Sequence, residues 1–240
     1  MIPIYKKDDE SLFTNYRPIS VLPAISKVFE KIIFNQVYDY FQRQKLFYSS
    51  QYGFRTGHST EFATLELIDK IMQEMDKGKV PICIFLDLSK AFDTLDHQIL
   101  YEKLKYYGIT DIPAKLFESY LSNRKQYVEF DNIKSDLLPI TTGVPQGSIL
   151  GPLLFIIYIN DIAQASKMFE LIMYADDSTL TATLNSFNIN INSDISDDIN
   201  FELTKITDWL NANRLSLNVT KTKFMIFHQP RKNLKCLRSK

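Results

Sequence analysis

Three carboxylates in two short runs are the residues best placed to do chemistry. Asp87 closes Phe85-Leu86-Asp87, and Asp176 and Asp177 close Tyr174-Ala175-Asp176-Asp177. A lone Asp at a strand end or turn is ordinary, because turns favour its short hydrogen-bonding side chain. Two adjacent carboxylates at the tip of an apolar hairpin are different. They repel one another, and Met173 and Tyr174 before them keep water partly away. A divalent cation relieves that repulsion, since Mg²⁺ takes hard oxygen ligands, usually a few carboxylates together with substrate phosphates. If Asp87 joins the pair, the three could hold two Mg²⁺ (or Mn²⁺) ions. One would activate an attacking hydroxyl and the other would stabilise a leaving pyrophosphate. Spacing alone leaves open whether Asp87 lies beside the pair.

The elements that must position these groups can be read from periodicity. Val80 to Leu86 is a continuous apolar run suited to a buried strand, and Asp87 follows it directly. Phe169 to Tyr174 and Ser178 to Leu184 read as two strands of a tight hairpin around Ala175-Asp176-Asp177. A final short strand is expected over Lys223 to Phe227. Helical spacing begins after Pro23, where Val28, Phe29, Ile32, Ile33 and Val37 form a stripe that continues to Phe41. A second helix is expected from Thr60 to Asp76, stopped by Gly78. A helix-rich stretch from His97 to about Ser122 should break near Gly108 and Pro113, and another helix should run from Leu153 to Ile162. Tyr127 to Phe130 and Leu137 to Thr141 read as a hairpin around Asp131-Asn132. Asn185 to Asn200, rich in Asn, Ile and Asp, reads as a loop entering a helix that contains Trp209. Strands and helices mix without βαβ alternation, which indicates an α+β fold.

Composition excludes some classes of function. The chain has 28 Lys and Arg against 28 Asp and Glu, so its average charge argues for no particular partner. The distribution is uneven: from Arg214 onward there are Lys or Arg at 214, 221, 223, 231, 232, 235, 238 and 240 and no acid. Such a basic tail is either a solvated end or a phosphate-contacting surface. Cys83 and Cys236 suggest neither a disulfide framework nor a zinc site, and His58, His97 and His228 show no metal-ligand spacing. No segment is apolar and long enough to span a membrane, and charges at Lys6 to Glu10 argue against a secretory signal. An intracellular, soluble chain is expected.

Six ordered blocks carry a family resemblance. They are Asn15-Tyr16-Arg17-Pro18-Ile19-Ser20-Val21-Leu22, Tyr52-Gly53-Phe54-Arg55, Phe85-Leu86-Asp87-Leu88-Ser89-Lys90-Ala91-Phe92-Asp93, Gly143-Val144-Pro145-Gln146-Gly147-Ser148, Tyr174-Ala175-Asp176-Asp177 and Leu217-Asn218-Val219-Thr220-Lys221-Thr222-Lys223. Together they resemble the reverse transcriptase domain of non-LTR (LINE-type, jockey-like) retrotransposons, over roughly residues 3 to 228. The resemblance implies right-hand polymerase fingers and palm with an antiparallel palm sheet. Fingers would take about residues 1–79 and part of 94–125, the palm would take the rest, and 229–240 would be a basic tail. It implies that Asp87, Asp176 and Asp177 are the metal-binding catalytic carboxylates, with the carbonyl of Leu88 helping to hold a metal. Phe92 would be the aromatic gate that crowds a ribose 2′-hydroxyl. Gln146 and Gly147 would lie along the incoming nucleotide and template. Arg17 would clamp the triphosphate, Arg55 would touch template or nucleotide, and Lys221 would protonate the departing pyrophosphate. The partners implied are an RNA template, a DNA primer and dNTPs, and the nucleus is the implied location.

Each of these residues also has a plain reading: Phe92 as core, Gly143 and Gly147 as turn residues, Arg17 and Lys221 as solvated charges. Departures from the family pattern are Asp8 after Lys6-Lys7, the low-complexity link over 185–192, and an end before the expected primer grip and thumb. A fragment, a truncated element copy or an incomplete gene prediction is therefore expected. The alternatives are a group II intron-type reverse transcriptase, an RNA-dependent RNA polymerase, which Phe92 disfavours, and a relic that only binds nucleic acid.

Overall fold

The structure is a computed structural model that describes residues 1–184 and 193–228, with the side chains of 193–196 left aside. In chain order come β1 (Ile2–Tyr5), β2 (Tyr16–Ile19), α1 (Ala24–Arg43), α2 (Thr60–Asp76), β3 (Val80–Leu86) and α3 (Ala91–Thr94). Next are α4 (His97–Tyr106), α5 (Asp111–Leu121) and the short strands β4 (Lys125–Gln126), β5 (Glu129–Phe130), β6 (Ile133–Lys134) and β7 (Leu138–Pro139). Then follow α6 (Leu150–Tyr158), β8 (Glu170–Tyr174), β9 (Asp177–Leu184), α7 (Ser193–Ala212) and β10 (Lys223–Ile226). Helices and antiparallel strands mix without alternation, an α+β fold. The chain divides into two compact units, one of Met1–Phe47 with Lys90–Ile159 and one of Tyr48–Ser89 with Asn160–Lys240.

The second unit is built on a four-stranded antiparallel sheet in the order β10-β3-β9-β8. β3 lies inside the sheet and all but Phe85 of its residues are buried, which explains the unbroken apolar run. β9 alternates: Ser178, Leu180, Ala182 and Leu184 are buried while Thr179, Thr181 and Thr183 are half-exposed. A period of two marks a strand with one covered face. The β3–β9 register runs from Val80↔Leu184 to Leu86↔Ser178. α2 packs on β3 and β8, and Lys70 bridges Glu66 of its own helix (2.8 Å) to Glu170 on β8 (3.0 Å). α7 buries Ile206 and Leu210.

The first unit centres on α6, whose nine residues are all buried except Pro152. A helix apolar on every side must be surrounded, and Phe41, Leu95, Leu100, Leu104 and Phe117 are buried in this unit with it. α6 starts without a side-chain cap from its preceding residue. Instead Glu30, only 3% exposed, brings Oε2 to the N–H of Ile149 (2.7 Å) and Leu150 (3.4 Å), while Oε1 accepts from Tyr120 Oη (2.9 Å). A carboxylate at a helix N-terminus satisfies orphan donors and complements the dipole. Burial and Glu30 together push the Tyr120 hydroxyl well above its usual range.

Several elements differ from expectation for identifiable reasons. The apolar stripe of α1 does not all face the core: Val28, Phe29 and Ile32 are exposed, and Glu30 is buried in that half of the helix. The Glu30 face of α1 instead supplies the acceptor for the start of α6. The break in the His97–Ser122 stretch falls at Gly108, with φ +91°, whereas Pro113 sits in the first turn of α5, where a missing N–H costs nothing. The Asp131-Asn132 turn exists, with both φ values positive, but its inner pair is β5–β6, and only Leu138–Pro139 of the expected outer strand pairs, with β4. α6 starts at Leu150, three residues early, and α7 already begins at Ser193, inside the expected loop. The β1–β2 hairpin was not legible. Residues 185–192 and the basic tail 229–240 lie outside the described residues.

Glu30→Ala should cost roughly 2–3 kcal/mol, because it strands buried donors rather than removing a surface charge. Urea unfolding compared with Glu30→Gln, which keeps an acceptor and should lose less, measures this.

Candidate active site

The carboxylate edge belongs to the second unit. Beyond the last β3–β9 pair, Leu86↔Ser178, the next residue on each strand is Asp87 and Asp177. Tyr174 pairs with Asp177 across β8–β9, which leaves Ala175 and Asp176 as a two-residue turn. Asp87 and Asp176 are half-buried and Asp177 is exposed. One sheet end thus carries all three residues. Among the described residues, however, no three His, Cys, Asp or Glu side chains are grouped closely enough to hold a metal ion. The edge is assembled by backbone register, which carries all three residues to one end of the sheet.

Leu88 continues past β3 and makes an antiparallel bridge with Leu217. The bonds flanking it, Asn218 N–H to Asp87 O (2.7 Å) and Ser89 N–H to Ser216 O (2.8 Å), make it a non-hydrogen-bonded pair. In such a pair the carbonyl points away from the partner strand. The carbonyl of Leu88 is therefore directed away from Leu217. Carboxylate oxygens and a main-chain carbonyl are the donor types that Mg²⁺ prefers. Lys221 is exposed on a turn closed by Lys221 N–H and Thr222 N–H to Asn218 O (3.1 and 2.9 Å). Asn218 links that turn to the main chain of Asp87.

The turn at Ala175-Asp176 has φ +59° at Ala175 and no positive φ at Asp176, the sign pattern of a type II′ hairpin. That first position normally takes Gly, so Ala175 is strained. Against it lies a segment that periodicity did not reveal. Ser50 O accepts from Met173 N–H (2.8 Å), and Tyr52 N–H donates to Met173 O (2.7 Å), so Gln51 runs parallel beside β8. Gly53 touches the turn so closely that a Cβ there would lie 2.2 Å from Ala175 N. Arg55 donates from Nη1 to the carbonyls of Tyr48 (3.0 Å), Gln51 (3.0 Å) and Ser49 (3.4 Å), a loop-organising job beside the nucleotide or template contact its motif implies. Glu66 on α2 accepts from Ser50 Oγ (2.8 Å) and from the Tyr52 hydroxyl.

Burial alone would raise the Glu66 carboxyl, but hydrogen bonds from Lys70, Tyr52 and Ser50 outweigh it and hold it below its ordinary value. Burial and the bond to Glu66 push the Tyr52 hydroxyl up to about 12. Burial would lower Lys70, yet Glu66 and Glu170 outweigh that and raise it.

The first unit holds the remaining sequence candidates. Phe92 is half-buried and stacks on Phe155 with centroids 4.4 Å apart, and its carbonyl accepts from Val144 N–H (2.9 Å). Asp93, unremarked in the sequence, accepts from Gln146 Nε2 (2.8 Å). A carboxylate only accepts, so the Gln146 amide must turn its nitrogen to Asp93. Gly143, at φ +79°, presses on Asp93, where a Cβ would lie 2.6 Å from its carbonyl oxygen. Gln146 O accepts from Ser20 N–H (2.7 Å), which ties the loop to the end of β2. Gly147 has φ +101°, where any side chain would be strained. Arg17 is exposed on β2, opposite Ile4.

Residues 4–237 match the family model described as reverse transcriptase (RNA-dependent DNA polymerase). The chain belongs to the reverse transcriptase family. It is 32% identical over 220 residues to a probable RNA-directed DNA polymerase from transposon X-element of Drosophila melanogaster, covering 89% of this chain. It is 33% identical over 221 residues to the corresponding protein of transposon BS from the same fly, covering 87%. The RNA-directed DNA polymerase from mobile element jockey of that fly is 31% identical over 69% of this chain. The chain spans 23% of the length of the first two and 19% of the third. Among solved structures it resembles apo telomerase from Candida tropicalis, with a TM-score of 0.59 at 13% identity, over 83% of this chain and 37% of that one. A form of that telomerase truncated from its C-terminal domain gives 0.58 at 16% identity, over 87% and 42%. At these identities the likeness concerns fold alone, and the fold is that of reverse transcriptase fingers and palm. This reverse transcriptase domain is of the non-LTR retrotransposon type, and its family generally uses divalent metal ions.

The brace around Glu66 predicts an acid dependence. A carboxyl whose pKa is depressed in the folded protein adds stability above its unfolded value, near 4.5, and loses it as pH falls through the folded value. Melting temperature should therefore fall as pH drops from about 5 to 3, and Glu66→Gln should flatten that slope. Identical slopes in the two proteins would remove Glu66 as its source.

Proposed function

We propose that this domain adds deoxynucleotides to a DNA 3′-hydroxyl on an RNA template, with Asp87 and the Asp176-Asp177 turn as its catalytic carboxylates. The observation that carries this reading is the β3–β9 register, which delivers both carboxylate runs to one sheet end in a chain of this family. Asp87, Asp176 and Asp177, with the carbonyl of Leu88, are the groups that would hold Mg²⁺ or Mn²⁺. Bound there, two such ions would supply charge for the attacking hydroxyl and the leaving pyrophosphate. The remaining work is positioning and charge complementarity, because phosphoryl transfer asks little covalent chemistry of a protein.

Other roles follow from residue type and placement. Arg17, exposed and always charged, suits a triphosphate. Phe92, braced by Phe155, suits a wall against a 2′-hydroxyl, since a stacked ring yields little. Gln146, its nitrogen engaged by Asp93, is held for contact with nucleotide or template, and Gly147 lets the main chain come close. Lys221, on the turn linked to Asp87, suits a proton donor to pyrophosphate. The fingers would be about residues 1–79 with part of 94–125, and the palm the rest. The partners are an RNA template, a DNA primer and dNTPs, held largely by backbone and shape. No helix among the described residues is long and apolar enough to cross a membrane, and the nucleus is the location this reading favours.

Primer extension on an RNA template by a polypeptide carrying this chain tests the reading. Asp87→Asn and Asp176→Asn should each lower the rate by at least about a hundredfold. Phe92→Ala should admit ribonucleotides while leaving dNTP use largely intact. Wild-type rates in both carboxylate variants would overturn the proposal, and unchanged sugar discrimination would return Phe92 to the core.

A further inference from the structure

We infer that Gln51 is a positioning residue for the turn that carries Asp176, acting through the main chain of Ala175; this rests on the polymerase reading above. The side-chain carbonyl Oε1 of Gln51 accepts two main-chain N–H groups, Ala175 at 3.0 Å and Gly53 at 2.7 Å. One acceptor thus joins the strained turn to the segment packed beneath it. Gln51 is 1% exposed, so water cannot take over either bond.

The need for such a tie comes from the turn itself. Ala175 sits at φ +59°, a conformation that glycine adopts freely and alanine resists. Left alone, the turn would relax by rotating the peptide before or after Ala175. Either rotation re-aims Asp176, which is the next residue. Gln51 Oε1 holds the Ala175 N–H in its strained direction, and Gly53 leaves no room below, since even a Cβ would lie 2.8 Å from Ala175 Cα. The Gln51 main chain is fixed in turn by its bridge to Met173, two residues before Ala175.

The other end of the amide shows what the side chain is for. Gln51 Nε2 is buried without a hydrogen-bond partner. A buried orphan donor is a cost, so the residue is not optimised for stability at this place. What it supplies is a neutral acceptor. Glutamate would supply the acceptor without the orphan donor, but it would add a negative charge beside a turn that already carries Asp176 and Asp177. Asparagine is one methylene too short to occupy the same point. Glutamine meets both requirements, acceptance and neutrality.

Gln51→Met removes the acceptor at nearly constant volume, and Gln51→Glu keeps it. Three measurements separate positioning from mere structure: amide exchange at Ala175 in ¹⁵N-alanine-labelled protein, melting temperature, and kcat against KM for dNTP in primer extension. In Gln51→Met, Ala175 exchange should accelerate at least about tenfold, while the melting temperature falls by only several degrees, the cost of two buried donors that lose their acceptor. Its kcat should fall about ten- to a hundredfold, the scale of a misplaced reacting group, with KM for dNTP within about twofold. Gln51→Glu should keep the Ala175 amide protected and recover part of kcat. Unchanged Ala175 exchange in Gln51→Met, or an unchanged kcat, overturns the inference. Failure of Gln51→Met to fold while Gln51→Glu folds with normal kcat also overturns it, by making the residue one of stability. Asp176→Asn separates this from the polymerase reading. If that variant extends primers normally while Gln51→Met still frees the Ala175 amide, the tie stands and the catalytic assignment falls.

Discussion

The pairing of β3 with β9 is the interaction on which the rest of the candidate site depends. Side chains on a strand alternate between faces, so a register shift of one residue would turn Asp87 to the other side of the sheet. What forbids the shift is the match of buried positions, with Ile82, Ile84 and Leu86 opposite Ala182, Leu180 and Ser178. Slipping by one would turn Thr179, Thr181 and Thr183 to the covered face of the sheet and expose Leu180 and Leu184. The carboxylates are held in place by the hydrophobic residues behind them, which is how a fold sustains like charges near one another.

Much of this was legible in the sequence because it is local or periodic. The apolar run Val80 to Leu86, the alternation of Ser178 to Leu184 and the helix from Thr60 to Asp76 all announce themselves within a few residues. So does the hairpin, although its expected tip Ala175-Asp176-Asp177 shortens to two residues because Asp177 pairs with Tyr174. Motif order supplied the family, and with it the expectation that Asp87 neighbours Asp176 and Asp177. The register agrees with that expectation at the level of the main chain. The closure of three side chains into a group does not follow from motif or register, and the described residues do not show it.

Much of what the sequence concealed shares one physical form: a single polar side chain that accepts an N–H group far away along the chain. Glu30 reaches Ile149, 119 residues on, and Gln51 reaches Ala175, 124 residues on. Asp93 takes the amide of Gln146 at a separation of 53. None belongs to a periodic pattern, and each type is common on surfaces, where it would mean nothing. The consequence can still be large. On α1, Glu30 is buried with its acceptors engaged while Val28, Phe29 and Ile32 of the expected apolar stripe are exposed. A strand or helix advertises itself by repetition, whereas a brace of this kind occurs once.

These braces gather where the backbone is under strain or bends sharply. Ala175, Gly143 and Gly147 have positive φ, and each is pressed by or bonded to a segment remote in sequence. Strained turns persist only when their surroundings over-determine them. In the second unit that surrounding is layered: Glu66 on α2 holds Ser50 and Tyr52, that segment carries Gln51 and Gly53, and these two hold Ala175. The order of the layers matters physically. An outer bond such as Lys70 to the exposed Glu170 is weakened by solvent. The innermost bond is different. With Gln51 buried and its acceptor committed to Ala175 N–H and Gly53 N–H, losing it leaves two donors in a dry place, and the turn can regain partners only by moving.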